Sequence, residues 1–232
     1  MNLSLTPAEW EALALSLRVA ACSLLLVFIP GIACGWFLAR KSFPGKVFVE
    51  ALVHAPLVLP PVVMGYALLF SLGRHGFLSD TFFDSELRLA FTWKAAALAS
   101  TVMSFPLMVR AVRLAIELVD ARLEQAATTL GASPWRVFWT ITLPLSLPGV
   151  VTGSLLAFAR SLGEFGATIT FAGNLPGETR TLPLALFTEL QAPGGEAPAM
   201  RLAIISIAIS LAALVASELI ARRISERLGR SA

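Results

Sequence analysis

The sequence predicts an all-α, polytopic integral membrane protein, with five transmembrane helices in a single domain over residues 1–232, the N-terminus outside and the C-terminus cytoplasmic. Three observations carry this. Hydrophobic residues make up 56% of the 232. Charged residues are only 14%, against about 25% in soluble domains, whose surfaces must be hydrated, and mean hydropathy is +0.77. Apolar runs of the roughly 20 residues that cross a bilayer recur five times. The net charge of +3 is too small to argue for a nucleic-acid partner, and its distribution matters more than its sum.

The spans are expected at about 13–38, 47–73, 89–112, 147–171 and 200–221. Thr6, Pro7 and Glu9 read as a helix start, with Thr6 as N-cap, Pro7 at the first helical position and Glu9 closing a capping box. Trp10 comes next, at the lipid interface. Glu9 and Glu11 precede the first basic residue, Arg18, which argues against a cleaved secretory signal. Val19 to Ala39 and Ala51 to Gly73 contain no charged residue. The third span is interrupted only by Lys94, close enough to its end to snorkel. The fourth holds Arg160, Glu164 and the glycines Gly153, Gly163 and Gly166; the fifth ends with Glu218 four residues before Arg222.

Basic residues set the orientation. Arg40, Lys41, Lys46, Arg110, Arg113, Arg122, Arg136, Arg222, Arg223, Arg227 and Arg230 fall on one side, against Arg74, Arg88, Arg180 and Arg201 on the other. By the positive-inside rule the richer side is cytoplasmic. Cys22 and Cys34 lie about 18 Å apart along one helix, too far for a disulfide. His54 and His75 sit in different segments, so no metal site is expected.

The long internal connection, about 114–146, has a pattern of its own. From Arg113, Ile116, Val119, Leu123, Ala127 and Leu130 recur every three or four residues, which predicts an amphipathic helix. Gly131 suits its C-terminal stop, and Ser133 with Pro134 restarts a helix leading into Trp135, Arg136, Phe138 and Trp139. Such an elbow either plugs into a groove on a partner or rests on lipid headgroups.

Within this elbow Gln125, Ala126 and Ala127, then Gly131, then Ile141, Leu143 and Pro144 have the spacing of the EAA loop of binding-protein-dependent ABC importers. The usual first Glu is replaced by Gln125, with Glu124 one residue earlier. The match extends to APLVLPPVVMGY at 55–66, SFPLMV at 104–109, ARSLGEFGATIT at 159–170 and GETRTLP at 177–183. Together these resemble the molybdate ABC importer permeases over nearly the whole chain, with sulfate permeases sharing part of the pattern. The resemblance implies a type I ABC importer permease fold with a periplasmic N-terminus, in the bacterial inner membrane. It also implies a coupling element formed by Glu124, Gln125, Ala126, Ala127, Gly131, Ala132, Ser133, Pro134, Ile141, Leu143 and Pro144. Two ATPase subunits are implied beneath, carrying ATP and Mg, and a periplasmic molybdate-binding protein above. No cofactor is expected on this chain itself.

Candidate pathway residues are those that lipid would not tolerate. Arg160 and Glu164, four apart, share a helix face and at that depth must face the protein interior. They either hold a gate or form a static salt bridge. Pro56, Pro60 and Pro61 remove backbone donors inside the second span, predicting a kinked or unwound segment that lines a pathway with Gly65 and Tyr66, or only a packing kink. The hydroxyls of Ser104 and Ser161 offer donors to an oxyanion or bond helix to helix. The 172–199 loop, with Glu178 and Arg180, is the candidate face for the binding protein.

No phosphate-binding loop of the form Gly-x-x-x-x-Gly-Lys-Ser/Thr occurs, so ATP hydrolysis is expected on another chain and no enzymatic activity on this one. A self-powered secondary anion transporter, the alternative of another class, needs coupling carboxylates and often an inverted repeat; only Glu164 and Glu218 are available and no repeat is seen. A sulfate or thiosulfate permease is the alternative within the class, and tungstate the alternative cargo to molybdate. Five helices are few to enclose a conduit, which points to a homodimer.

Overall fold

A computed structural model describes residues 5–73 and 89–227. Arg74, His75, Arg88 and Arg230 lie outside the described residues, as does the whole loop expected between the second and third spans, 74–88. The first helix, α1 (Pro7–Arg40), starts as expected: Glu9 N donates to Thr6 Oγ1 at 3.3 Å, and Thr6 N donates to Glu9 Oε2 at 2.7 Å. At 34 residues it is about 51 Å long, well beyond the bilayer core.

The second span is interrupted at its prolines, as expected. It divides into α2 (Lys46–Val58) and α3 (Pro61–Leu72), which meet at 112°. The residue before a proline is disfavoured in the helical region, and here two such residues are consecutive. Leu59 has ψ 140° and Pro60 has ψ 132°, both extended. Pro56 stays inside α2.

Next comes α4 (Trp93–Glu117), capped by Thr92. The amphipathic helix expected from Arg113 onward is broken over residues 118–120. Ile116 and Val119 are buried in the core, whereas Leu123 and Leu130 are exposed on α5 (Ala121–Thr129) and its C-terminal cap, so these positions do not form one face. Asp120 Oδ1 accepts from Arg122 N at 2.9 Å and restarts the chain as the cap of α5.

The fourth span starts earlier and ends earlier than 147–171. Helix α6 (Pro134–Leu162) contains a π turn at Phe138–Thr142 and stops before Gly163; α7 (Gly166–Phe171) comes after a break. The connector 172–199 contains α8 (Leu182–Gln191), and α9 (Glu196–Arg227) is the last helix.

Helix α4 is the centre of the packing, with α1 and α6 in contact with it and with each other. Glycine pairs four residues apart make this possible. A Cβ on Gly31 would overlap the Met108 side chain, and one on Gly35 would stand 2.8 Å from Val112 Cγ1 and 3.1 Å from Val109 O. On α6, a Cβ on Gly149 would overlap Ala115, and one on Gly153 would stand 3.0 Å from both Ala111 Cβ and Met108 Sδ. Small residues at this spacing let helix backbones approach in lipid, where no hydrophobic force drives helices together. Leu202 near the start of α9 is buried, whereas Ile207, Leu211 and Leu219 further along it remain exposed.

The two ends of the bundle have different fastenings. At one end Arg201 Nη2 pairs with Glu9 Oε1 at 2.6 Å and Leu182 N donates to Ser16 Oγ at 2.6 Å. At the other, Arg113 pairs with Glu50 at 2.9 Å and Arg40 with Glu124 at 2.8 Å.

Gly35→Leu is expected to lower the stability of the folded chain by about 2–3 kcal/mol, the cost of forcing bulk into a closed interface. Unfolding in detergent, compared with the exposed substitution Leu25→Ala, measures this; Leu25→Ala should be close to neutral.

Candidate functional site

The elbow is built by local capping. Gly131 has φ +85°, Gly131 N donates to Thr128 O at 2.9 Å and Ala132 N to Ala127 O at 3.0 Å. That pair of bonds is the Schellman arrangement, which a glycine in the left-handed conformation closes without strain. Ser133 Oγ then accepts from Arg136 N at 3.3 Å and Pro134 opens α6. Gln125 and Ala126 are exposed on α5 and Ala127 is half-buried; Ile141, Leu143 and Pro144 are half-buried at the start of α6.

Glu124 is engaged within the chain. Its Oε1 accepts from Arg40 Nη2 at 2.8 Å, Arg40 Nε at 3.2 Å and Thr142 Oγ1 at 2.6 Å. In the sequence Arg40 stands only among the orientation charges, and Thr142 is not singled out at all. No local spacing connects residues 84 positions apart.

Beside the elbow lies an aromatic cluster in which Phe138 packs on Trp36, Trp135 and Trp139, with ring centroids 5.4–5.9 Å apart. Leu123, Leu130, Trp135 and Trp139 are largely exposed around it. Amphipathic rings of this kind favour the membrane interface.

The two broken spans meet. A Cβ on Gly65 would stand 2.6 Å from Ala167 O, and one on Gly166 would stand 2.7 Å from Pro61 Cβ, so α3 and α7 touch through backbone. Pro60 and Pro61 on one side therefore adjoin the break that carries Glu164 on the other. Arg160 Nη1 stands 2.6 Å from Glu164 Oε2, an ion pair.

The expectation that both charges share one helix face is corrected. Glu164 lies past the end of α6, and its Oε1 accepts from Ala167 N at 2.8 Å, fastening the first turn of α7. The Glu164 side chain is 1% exposed and that of Arg160 is 28% exposed.

Ser104 and Ser161 lie in an interface between helices. Ser23 Oγ, which the sequence did not single out, is 2.9 Å from Ser161 Oγ and 3.4 Å from Ser104 Oγ, and all three residues are buried. The three hydroxyls join α1, α4 and α6. At the opposite end from the elbow, Glu178 is exposed and Arg180 donates to Asn174 Oδ1 at 2.9 Å, with Asn174 in turn donating to Thr188.

A helical membrane chain whose central helix leads into a capped elbow, and whose spans are broken where they meet, has the form of a transporter's membrane subunit. The family described as "Binding-protein-dependent transport system inner membrane component" matches residues 31–226, and the chain belongs to it. It is 58% identical over 227 residues to the molybdenum transport system permease protein ModB of Escherichia coli (strain K12), covering 97% of this chain and 99% of that one. To the ModB of Haemophilus influenzae it is 52% identical over 223 residues, covering 96% and 97%. Among solved structures, the inward-facing MetNI methionine ABC transporter superposes with a TM-score of 0.74 at 18% identity, covering 95% of this chain and 99% of that one. That likeness shows that the two chains share a fold.

Arg160→Ala is expected to destabilise the chain by about 3 kcal/mol, because it strands a buried carboxylate. Glu164→Gln, which keeps an acceptor for Ala167 N and leaves a guanidinium that is only half-buried, should cost about 1 kcal/mol. Thermal unfolding of the two purified variants checks the order.

Proposed function

We propose that the chain is the membrane subunit of an ATP-driven molybdate importer, acting as a homodimer on two ATPase subunits and receiving its oxyanion from a periplasmic binding protein. The observation that carries this reading is identity of 58% to a molybdenum transport permease across 97% of the chain, extending through both the elbow and the broken spans. ATP and Mg belong to the ATPase partner; this chain supplies the conduit and its coupling.

The elbow end is the cytoplasmic face. Arg40, Lys41, Lys46, Arg113, Arg122 and Arg136 are gathered there, as the positive-inside rule requires. The N-terminus and the 172–199 segment, with Glu178 and Arg180, then face the periplasm and the binding protein. Helix α5 docks on the ATPase. Glu124 is held by Arg40 and Thr142, so Gln125, exposed beside it, makes the polar contact with that partner, while Leu123 and Leu130 provide apolar area.

In the membrane, the break at 163–165 and the bend at 59–60 form the part of the conduit that changes shape. Irregular backbone at that depth persists where it is buried or lines a cavity. The Arg160–Glu164 pair attracts an oxyanion through the half-buried guanidinium while the carboxylate limits how tightly it is held. A conduit must release what it binds.

Reconstitution of the chain with its cognate ATPase and binding protein in proteoliposomes tests the reading. ATP-dependent accumulation of molybdate, competed by tungstate and not by sulfate, is expected. Flux without ATP, or accumulation of sulfate alone, overturns it.

A further inference from the structure

We propose that Arg40 is a positioning residue of the coupling machinery: it latches α5 to the end of α1, so that a displacement of the elbow reaches α1, α4 and α6 together. This rests on the reading of α5 as the ATPase-docking element. The chain alone joins α5 to its neighbours loosely. It is flanked by the break at 118–120 and by the turn at Gly131, and none of its residues is buried. Core packing therefore does not hold it.

Polar contacts do. Arg40, the last residue of α1, donates through Nη2 and Nε to Glu124 Oε1, and through Nη2 to Val119 O at 3.2 Å. One guanidinium thus ties the α4–α5 break to the helix beyond it. Thr142 donates to the same carboxylate oxygen from the π turn of α6. The side chains of Arg40 and Glu124 are 20% and 19% exposed, unlike the Glu218–Arg222 pair at 61% and 70%. Solvent screening of the latch is correspondingly weaker.

The π turn has a part in this geometry. One residue inserted into a helix rotates the segment before it by about 100° relative to the segment after it. Thr142 is the last residue of that turn and is buried against Glu124. An arginine suits position 40 better than a lysine, a point donor that keeps the charge but does not bridge a carboxylate and a separate carbonyl in a fixed fork.

The test is uptake per ATP hydrolysed, measured in the reconstituted complex of permease, ATPase and binding protein. Arg40→Ala is expected to lower that ratio about tenfold, within the usual range of coupling between sites. Arg40→Lys should lower it less, and the charge exchange Arg40→Glu with Glu124→Arg should recover part of the loss. Thr142→Val, which keeps the shape and removes one donor, should lower the ratio about threefold. An unchanged ratio in Arg40→Ala overturns the latch. Should Arg40→Ala not assemble, an unchanged ratio in both Thr142→Val and Arg40→Lys overturns it equally. Absence of ATP-dependent uptake in the wild-type complex overturns instead the permease reading on which the latch rests.

Discussion

Close backbone approach around α4 is the constraint on which the rest of the structure depends. In lipid, apolar side chains gain nothing by leaving a hydrocarbon solvent, so helices associate through contact area and hydrogen bonds. Gly31 and Gly35 on α1, and Gly149 and Gly153 on α6, remove the side chains that would keep those helices away from α4. The buried contacts of Ser23 with Ser104 and Ser161 then fix their register. The product is a three-helix slab with little room to deform internally.

A stiff slab leaves changes of shape to the elements attached to it. One such place is where the proline-driven bend at 59–60 and the break at 163–165 face each other through Gly65, Ala167, Pro61 and Gly166. The elbow is not such a place: Arg40 ties it to the slab through Glu124, and at the same end the Arg113–Glu50 pair joins α4 to α2. Glu164 belongs to both local structure and electrostatics, since one of its oxygens fastens α7 while the other faces Arg160. A change of state at the break must therefore rearrange a backbone anchor as well as a charge pair.

The features legible in the sequence were those decided locally. The box of Thr6 and Glu9, the stop at Gly131 and the restart at Ser133 and Pro134 depend on three to six neighbouring residues, and the structure has all of them. Hydropathy located apolar segments but not their continuity. The prolines announced the interruption of the second span, but nothing comparable marks the break in the fourth, which was expected to run through Gly163 and Glu164. The amphipathic repeat after Arg113 spans a break that Asp120 caps, because Ile116 and Val119 obey helical spacing while packing inward. The contacts that join distant segments left no local signal. Arg40 resembles any basic residue at a membrane surface, and Ser23 any small residue in a span. The EAA spacing located the coupling loop but carried no information about Arg40 and Thr142, which hold Glu124.

The central claim is that the elbow and the α1–α4–α6 slab move as one body during transport. Cross-linking tests it most directly. Cysteines introduced as Arg40→Cys and Glu124→Cys, in a chain whose Cys22 and Cys34 have been replaced, are bridged by a short thiol-specific linker in the reconstituted complex, and ATP-driven uptake is measured before and after. One-body motion predicts that the covalent link raises uptake above that of the unlinked double variant, because it restores the lost ion pair in another form. Arrest of uptake on linking, relieved when the linker is cleaved, would contradict the account, since it would mean that the elbow must move against α1 in every cycle.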